Sequence, residues 1–430
     1  MARQFFFAPI MLPHYNERQR QRFLVGAAAH KVVGMVAGMR AHARRAVIVS
    51  SPIVTASRDR KFFAGFACRD ASLPCAYLPA ISLRGLNRIF AAFCYLRFAW
   101  QQVKRDDVVV LYNYFPEYIL VAAWLRLRLG RERVLLDIED GPRSDENDLR
   151  GFVTRASLRV LKRLCSERAI VVSRELAQSL SIDDACVVNG VCAAQATPPR
   201  AFGTPITFLY GGTIETDTGL YLFAEGVRRF AKLYRALANR VRFVVSGFGG
   251  GQTLETLARE MATVGVCVEL HQDIGPHEYR QLLAGADVGL SLRIPGTELA
   301  TTTFPSKVVE FASQGLLVLS TDVSDVSLLF DEDSAALIRE ATPDALAHRI
   351  ASIVENPDAH RRVAEQGRHV IEATCGRREV GARLIEFLDV VADTAPQSRP
   401  ALRPADSGAN AVIERAREHA PLTPATTENE

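Results

Sequence analysis

The chain has 430 residues, 48% of them hydrophobic and 23% charged, a balance that excludes a disordered or fibrous protein and suits two or three packed domains at roughly 100–200 residues each. No run of about 20 apolar residues is free of charge, which argues against a spanning helix, and the apolar opening through Phe5-Phe6-Phe7 is too short for a secretory signal. The net charge of +4 hides an asymmetry: residues 1–195 carry 29 Lys and Arg against 17 Asp and Glu, so this half faces something anionic, while the remainder is acidic.

Short β-branched runs alternate with helical patterns along the chain. The strands predicted in the first half are Gln4–Pro9, Ala46–Ser50, Val108–Tyr112, Val134–Asp137, Ala169–Ser173 and Cys186–Asn189. Those in the second half are Ile206–Gly211, Val241–Ser246, Val266–Leu270, Val288–Leu292, Leu316–Ser320 and Ala335–Ile338. Several lack polar alternation, as strands buried on both faces do, and strand–helix alternation implies parallel sheets covered by helices. The expected fold is therefore α/β, with two Rossmann-like domains facing a cleft. Residues 1–195 form the first domain, 196–205 a proline-containing linker and 206–375 the second domain. Residues 376–394 form a terminal helix crossing back to the first domain. Residues 395–430, rich in Pro, Ala, Thr and Glu, read as a disordered tail with a short helix near Asn410–His419.

Eight cysteines are scattered without a Cys-x-x-Cys pair or zinc spacing, so reduced thiols in a cytoplasmic protein, and no metal site, are expected. There is no Walker-type loop, nucleophile elbow or zinc-binding helix.

The chemistry-bearing pattern lies in the second half. One strand runs into Tyr210-Gly211-Gly212-Thr213 and is followed by Thr218-Gly219 ahead of a helix. Another ends in Ser246-Gly247-Phe248-Gly249-Gly250-Gly251. Glycines at strand ends let a backbone approach a ligand, and helix starts offer N–H groups to phosphate. Next comes a buried strand with Arg293 at its carboxyl end, then Thr301-Thr302-Thr303-Phe304-Pro305-Ser306-Lys307-Val308-Val309-Glu310, with Gly315 closing the helix. Pro305 suits a first turn and Gly315 a C-terminal cap. Ser306 and Glu310, four apart, share a face. Ser306 and Lys307 would meet a diphosphate and Glu310 the vicinal ribose hydroxyls. The bland alternative is a Lys307–Glu310 surface ion pair.

Over residues 211–315 these features resemble the donor domain of retaining glycosyltransferases of the GT-B fold, glycosyltransferase family 4 in particular. Glu310 matches the second glutamate of that family's Glu-x7-Glu motif and Phe304 its internal aromatic. The resemblance implies a nucleotide-diphosphate sugar as co-substrate, no cofactor, and transfer with retention. It also implies a donor site from Gly211, Gly212, Thr213, Thr218, Gly247, Gly249, Thr302, Thr303, Phe304, Ser306, Lys307 and Glu310. The chain departs from the pattern at Thr302, where the first glutamate is usual, and at Thr213 and Thr218, where an Arg and a Lys are common. Arg293 and Lys307 are the cations that would take over catalytic neutralisation of the leaving diphosphate.

In the first half, Asp137, Glu139 and Asp140 cluster at a strand end beside Gly141, and Asn113 sits at the end of another strand. Glu139 is a candidate catalytic carboxylate, with Asp137, Asp140 and Asn113 on the acceptor side. Leu83–Arg105 predicts a helix carrying Leu86, Ile89, Phe90, Phe93, Leu96, Phe98 and Trp100 among Arg84, Arg88, Arg97, Lys104 and Arg105. Such a mixture suits either an interfacial membrane helix or a core helix with snorkelling arginines. The expectation is a hexosyltransferase acting on a glycan or lipid-linked acceptor, cytoplasmic or at the inner face of an anionic membrane, with no nucleic-acid partner. Two alternatives are a catalytically silent nucleotide-sugar-binding subunit and a sugar-nucleotide epimerase, the latter resting on His271 and His277.

Overall fold

The computed structural model describes residues 2–21, 26–54, 61–70, 72–83, 85–143, 148–193, 201–272 and 274–393. The expected tail and its short helix, residues 196–200 of the linker and Arg84 lie outside these residues.

The first half contains β1 (Arg3–Phe7), β2 (Arg45–Ser50), β3 (Phe62–Phe63), β4 (Phe66–Asp70), β5 (Leu73–Tyr77), β6 (Ala80–Ile81), β7 (Val108–Tyr112), β8 (Val134–Ile138), β9 (Ala169–Val171) and β10 (Ala185–Val187). They make an eight-stranded sheet of order β10-β9-β8-β7-β1-β2-β5-β4 and a small β3–β6 ribbon. β1 pairs in parallel with β2 and β7, and β7 with β8. β1, β7 and β8 are almost wholly buried, which is why their sequences read as unbroken apolar runs.

β3 to β6 were not predicted. β4 and β5 pair antiparallel, with Pro74 opposite Arg69. A proline inside a short run argues against a strand, but Pro74 precedes Cys75, where the pairing of β5 with β2 begins, so its missing N–H costs no bond to β2. Buried Asp70 fastens this corner, accepting from the Tyr77 hydroxyl at 2.8 Å and from the amides of His14 and Tyr15.

The second half contains β11 (Ile206–Ile214), β12 (Val241–Gly249), β13 (Cys267–His271), β14 (Val288–Ser291), β15 (Leu317–Thr321) and β16 (Ala336–Ile338). These form an all-parallel sheet of order β13-β12-β11-β14-β15-β16. The chain runs outward from β11 through β12 to β13, then returns to β14 on the other side. The switch point therefore lies between β11 and β14, and in open parallel sheets ligands bind beyond the carboxyl ends there. The helix Leu220–Leu233 buries Leu222, Phe223, Val227 and Phe230 against this sheet, with Phe223 edge-on to Phe243.

By packing, the chain divides into two compact units. One comprises the described residues of Met1–Asp137, Val153–Arg168 and the terminal helix from Leu384 to Asp393. The other comprises Ile138–Phe152 and Ala169–Arg383. The helix expected at 376–394 is present as Arg377–Asp393. Within the first unit its later residues are fixed by an Arg44–Asp389 ion pair and by the Arg168 guanidinium, 4.4 Å from the Phe387 ring.

Candidate functional site

The glycine-rich strand ends do something different from what their sequence suggested. β11 does not turn at Gly212 but continues to Ile214, paired with β12 through Gly212↔Gly247 and Ile214↔Gly249. Gly212 and Gly249 have positive φ. A Cβ on Gly247 would lie 1.8 Å from the Gly212 carbonyl oxygen, and one on Gly249 2.3 Å from that of Ile214. The glycines thus let two strands project side by side beyond the sheet. Thr218 closes the following turn: its hydroxyl accepts from Glu215 N at 2.8 Å and donates to Glu215 O at 3.1 Å. Thr213 is exposed on the projecting strand.

Beside this projection lies a three-residue network. Lys307 Nζ donates to the Tyr279 hydroxyl at 2.8 Å and to Glu310 Oε2 at 2.5 Å, while the Tyr279 hydroxyl stands 3.2 Å from the same carboxylate oxygen. The Lys307 ammonium also sits over the Tyr279 ring, 4.6 Å from its centroid. A Cβ on Gly211 would lie 3.6 Å from the Tyr279 hydroxyl, and one on Gly212 3.6 Å from Lys307 Cε. Both distances are ordinary contacts, so it is the positive φ of Gly212, 116°, and not a lack of space that calls for glycine there. Burial, reinforced by the Glu310 carboxylate, pushes the Tyr279 phenol well above its ordinary range, so it stays a proton donor near neutrality.

The ion pair weighed as the bland alternative is therefore present, with both side chains about one-third exposed. An ordinary exposed pair of this kind contributes about 0–1 kcal/mol. What distinguishes this one is its place at the switch-point strand and its third member. Sequence reasoning missed Tyr279: it lies on the helix Pro276–Gly285, 28 residues from Lys307, and no local pattern links them.

The loop before Lys307 is held by Arg293. Its guanidinium donates to Leu299 O at 3.3 Å, to Phe304 O at 3.3 Å and to the Thr303 hydroxyl. Burial lowers its pKa to about 10, with the Asp140 carboxylate working in the opposite direction. Thr302 and Thr303 are buried, their hydroxyls donating back to Glu298 O and Leu299 O along the short helix Glu298–Thr302. Phe304 is buried beneath the loop. The next helix begins at Lys307 rather than at Pro305, with exposed Ser306 at its N-cap, and Gly315 follows its end at φ 76° as expected.

Residues from the first half also reach this loop. Gly141 N donates to Thr302 O at 2.8 Å, and a Cβ on Gly141 would lie 2.9 Å from Thr302 Cβ. Gly190 lies against Val309 in the same way, at 3.2 Å. Thr302 is thus a packing partner of Gly141. Glu139 is half-buried and Asp140 exposed. Asp137, by contrast, is fully buried and accepts from Lys31 Nζ at 2.9 Å, so its carboxylate faces an internal ammonium rather than the acceptor side. Asn113, at φ 57°, donates its backbone N–H to Asp137 O at 2.6 Å. His271 and His277 do not join the Lys307 network; His271 lies 3.6 Å from Glu269.

The all-parallel, doubly wound sheet, with Gly211 and Gly212 in its switch-point strand beside the Lys–Tyr–Glu network, has the architecture of the GT-B fold. Residues 228–382, which include the network, match the family model described as glycosyl transferase-like. The fold is similar to that of sucrose-phosphate synthase from Thermosynechococcus elongatus, at 13% identity and a TM-score of 0.66, covering 92% of this chain and 100% of that one. It is also similar to an α,α-trehalose-phosphate synthase (UDP-forming) from Burkholderia xenovorans, solved with glucose-6-phosphate. That match has 13% identity, a TM-score of 0.63 and coverage of 90% and 100%. The Anabaena protein HepE in complex with UDP matches at 12% identity and a TM-score of 0.61, covering 91% and 100%. Comparison with curated protein sequences gave no match.

Proposed function

We propose that the protein transfers a hexosyl group from a nucleotide-diphosphate sugar to a lipid-linked or polysaccharide acceptor, with retention at the anomeric carbon as the resemblance to glycosyltransferase family 4 implies. The observation that carries the donor half is the Lys307–Tyr279–Glu310 network, set against the Gly211–Gly212 backbone at the switch point. In this reading the leaving diphosphate draws Lys307 away from Glu310, and Glu310 then accepts from the ribose hydroxyls. Arg293 holds the 299–304 loop in place for that exchange. Catalysis would rest on fixed positive charge at the departing oxygen and on orientation of the two substrates. Glu139 and Asp140 remain candidates for the acceptor hydroxyl. The UDP found with HepE and the UDP-forming activity of the trehalose-phosphate synthases make uridine nucleotides the first donors to test.

One specific feature favours a second reading, a silent nucleotide-sugar-binding subunit. Thr218 and Thr302 hold positions where the resembled family carries charge, and their hydroxyls bond to nearby backbone. Incubation with a panel of nucleotide sugars and a membrane extract as acceptor source separates the two. Nucleoside diphosphate release with one donor, lost in Glu310→Ala, supports transfer. Donor binding without release supports the silent subunit.

A further inference from the structure

The helix Leu86–Gln102 packs one side inward and leaves another bare. Ala92, Tyr95 and Ala99 are buried, with Tyr95 stacked on Phe7 at 5.1 Å. Leu86, Ile89, Phe93 and Trp100, spaced three, four and seven apart, fall together on an adjoining face, and all are exposed, Phe93 by 58% and Trp100 by 64%. The neighbouring helix Tyr118–Leu129 continues that face. Leu120 and Leu127 are exposed, Leu127 by 88%, and the Trp100 and Trp124 rings meet at 5.7 Å across the two helices. Single exposed apolar side chains are ordinary on a protein surface, whereas a row of them over two packed helices is not.

The charge around this face has one sign. Arg88 and Arg97 are exposed on the first helix, Arg126 is exposed on the second, and Arg128 lies by the Trp124 ring. Neither helix contains an aspartate or glutamate. Glu117, just ahead of the second helix, is buried within electrostatic reach of Arg88; burial raises its pKa and the Arg88 charge works in the opposite direction. No helix among the described residues is long and apolar enough to cross a membrane. An apolar face rimmed by arginines, on helices that do not span, matches the interface of an anionic bilayer. There the rings and leucines enter the headgroup boundary while the guanidiniums meet lipid phosphates.

We propose that the paired helices Leu86–Gln102 and Tyr118–Leu129 form a docking face for an anionic lipid surface. It lies in the first compact unit, apart from the Lys307 network, so its test does not depend on the donor-site reading.

The test is flotation of the full chain with vesicles of phosphatidylcholine alone or of an equal mixture with phosphatidylglycerol. Binding is expected on the mixed vesicles and much less on phosphatidylcholine, and it should weaken as salt shortens the screening length. Phe93→Glu/Trp100→Glu should lower the partition coefficient by roughly tenfold or more. Leu127→Glu on the second helix should also lower it. Arg88→Gln and Arg97→Gln should each cost about fivefold on mixed vesicles only. Far-ultraviolet circular dichroism and the thermal unfolding midpoint, read on every variant, establish that it is folded. Equal partition of folded variants and the parent, or no partition of the parent, overturns the proposal. So does self-association in sedimentation velocity that the same substitutions abolish without any vesicle binding, since the face would then belong to a second copy.

Discussion

Lys307 and Tyr279 meet through a 2.8 Å hydrogen bond between the ends of two different helices. The contact ties the residue expected to meet phosphate to one that the primary structure never marked. Tyr279→Phe keeps the ring under the ammonium and removes only the hydroxyl. A hydrogen bond to a charged group contributes roughly 1.5–3 kcal/mol, so kcat/KM for the nucleotide sugar should fall by at least about tenfold. Thermal stability should fall by no more than that same bond contributes. Steady-state nucleotide release and a melting curve read the two effects; an unchanged kcat/KM would remove Tyr279 from the site.

The projecting ends of β11 and β12 depend on glycine for steric reasons. Gly247→Ala would force a Cβ to within 1.8 Å of a backbone oxygen that cannot move without breaking the strand pair. A loss of roughly 3 kcal/mol or more is expected in chemical denaturation. Gly251, with nothing within 4 Å of its Cβ position and a place at the start of a helix, is the control. Gly251→Ala should be neutral or stabilise by up to about 1 kcal/mol.

Lys31 and Asp137 form a buried pair in which Asp137 Oδ2 has no hydrogen-bond partner. Burial raises the Asp137 pKa while Lys31 pulls it down. Lys31→Met should destabilise by about 3–5 kcal/mol because it strands a buried carboxylate. The double variant Lys31→Met/Asp137→Leu should recover much of that loss. Urea unfolding of the two single variants and the double gives the coupling directly, and additive losses would mean that the pair does not act as one unit.

Cys267 is exposed, whereas Cys75, Cys165, Cys186, Cys192 and Cys375 are buried. A disulfide reagent should modify Cys267 first, and Cys267→Ser should remove that phase. Partial burial and the neighbouring Glu269 raise its pKa above the ordinary 9.0. The thiolate is the reacting form, so the rate should keep climbing as pH rises past 9 rather than levelling there. For Cys75 and Cys165, burial pushes the thiol up to about 12. These should react only when the protein unfolds. A plateau for Cys267 below pH 9 would contradict the raised pKa.

The primary structure by itself determined the α/β class and the position of nearly every central strand, because strands buried on both faces must be apolar and continuous. Val108–Tyr112 was read to the residue for that reason. It also marked Lys307 and Glu310, since charged residues just after a proline, in a helix leading to a buried strand, stand out locally. Only the tertiary structure decided which partners these residues have. Tyr279 joins Lys307, Thr302 packs on Gly141, and Lys31 neutralises Asp137, each across a separation that no local periodicity encodes. The β4–β5 edge was hidden for the same reason, its proline being tolerated by its position in the sheet and its corner secured by Asp70. Spacing reports which face of an element is buried; what meets that face is fixed by the packing of elements distant in the chain.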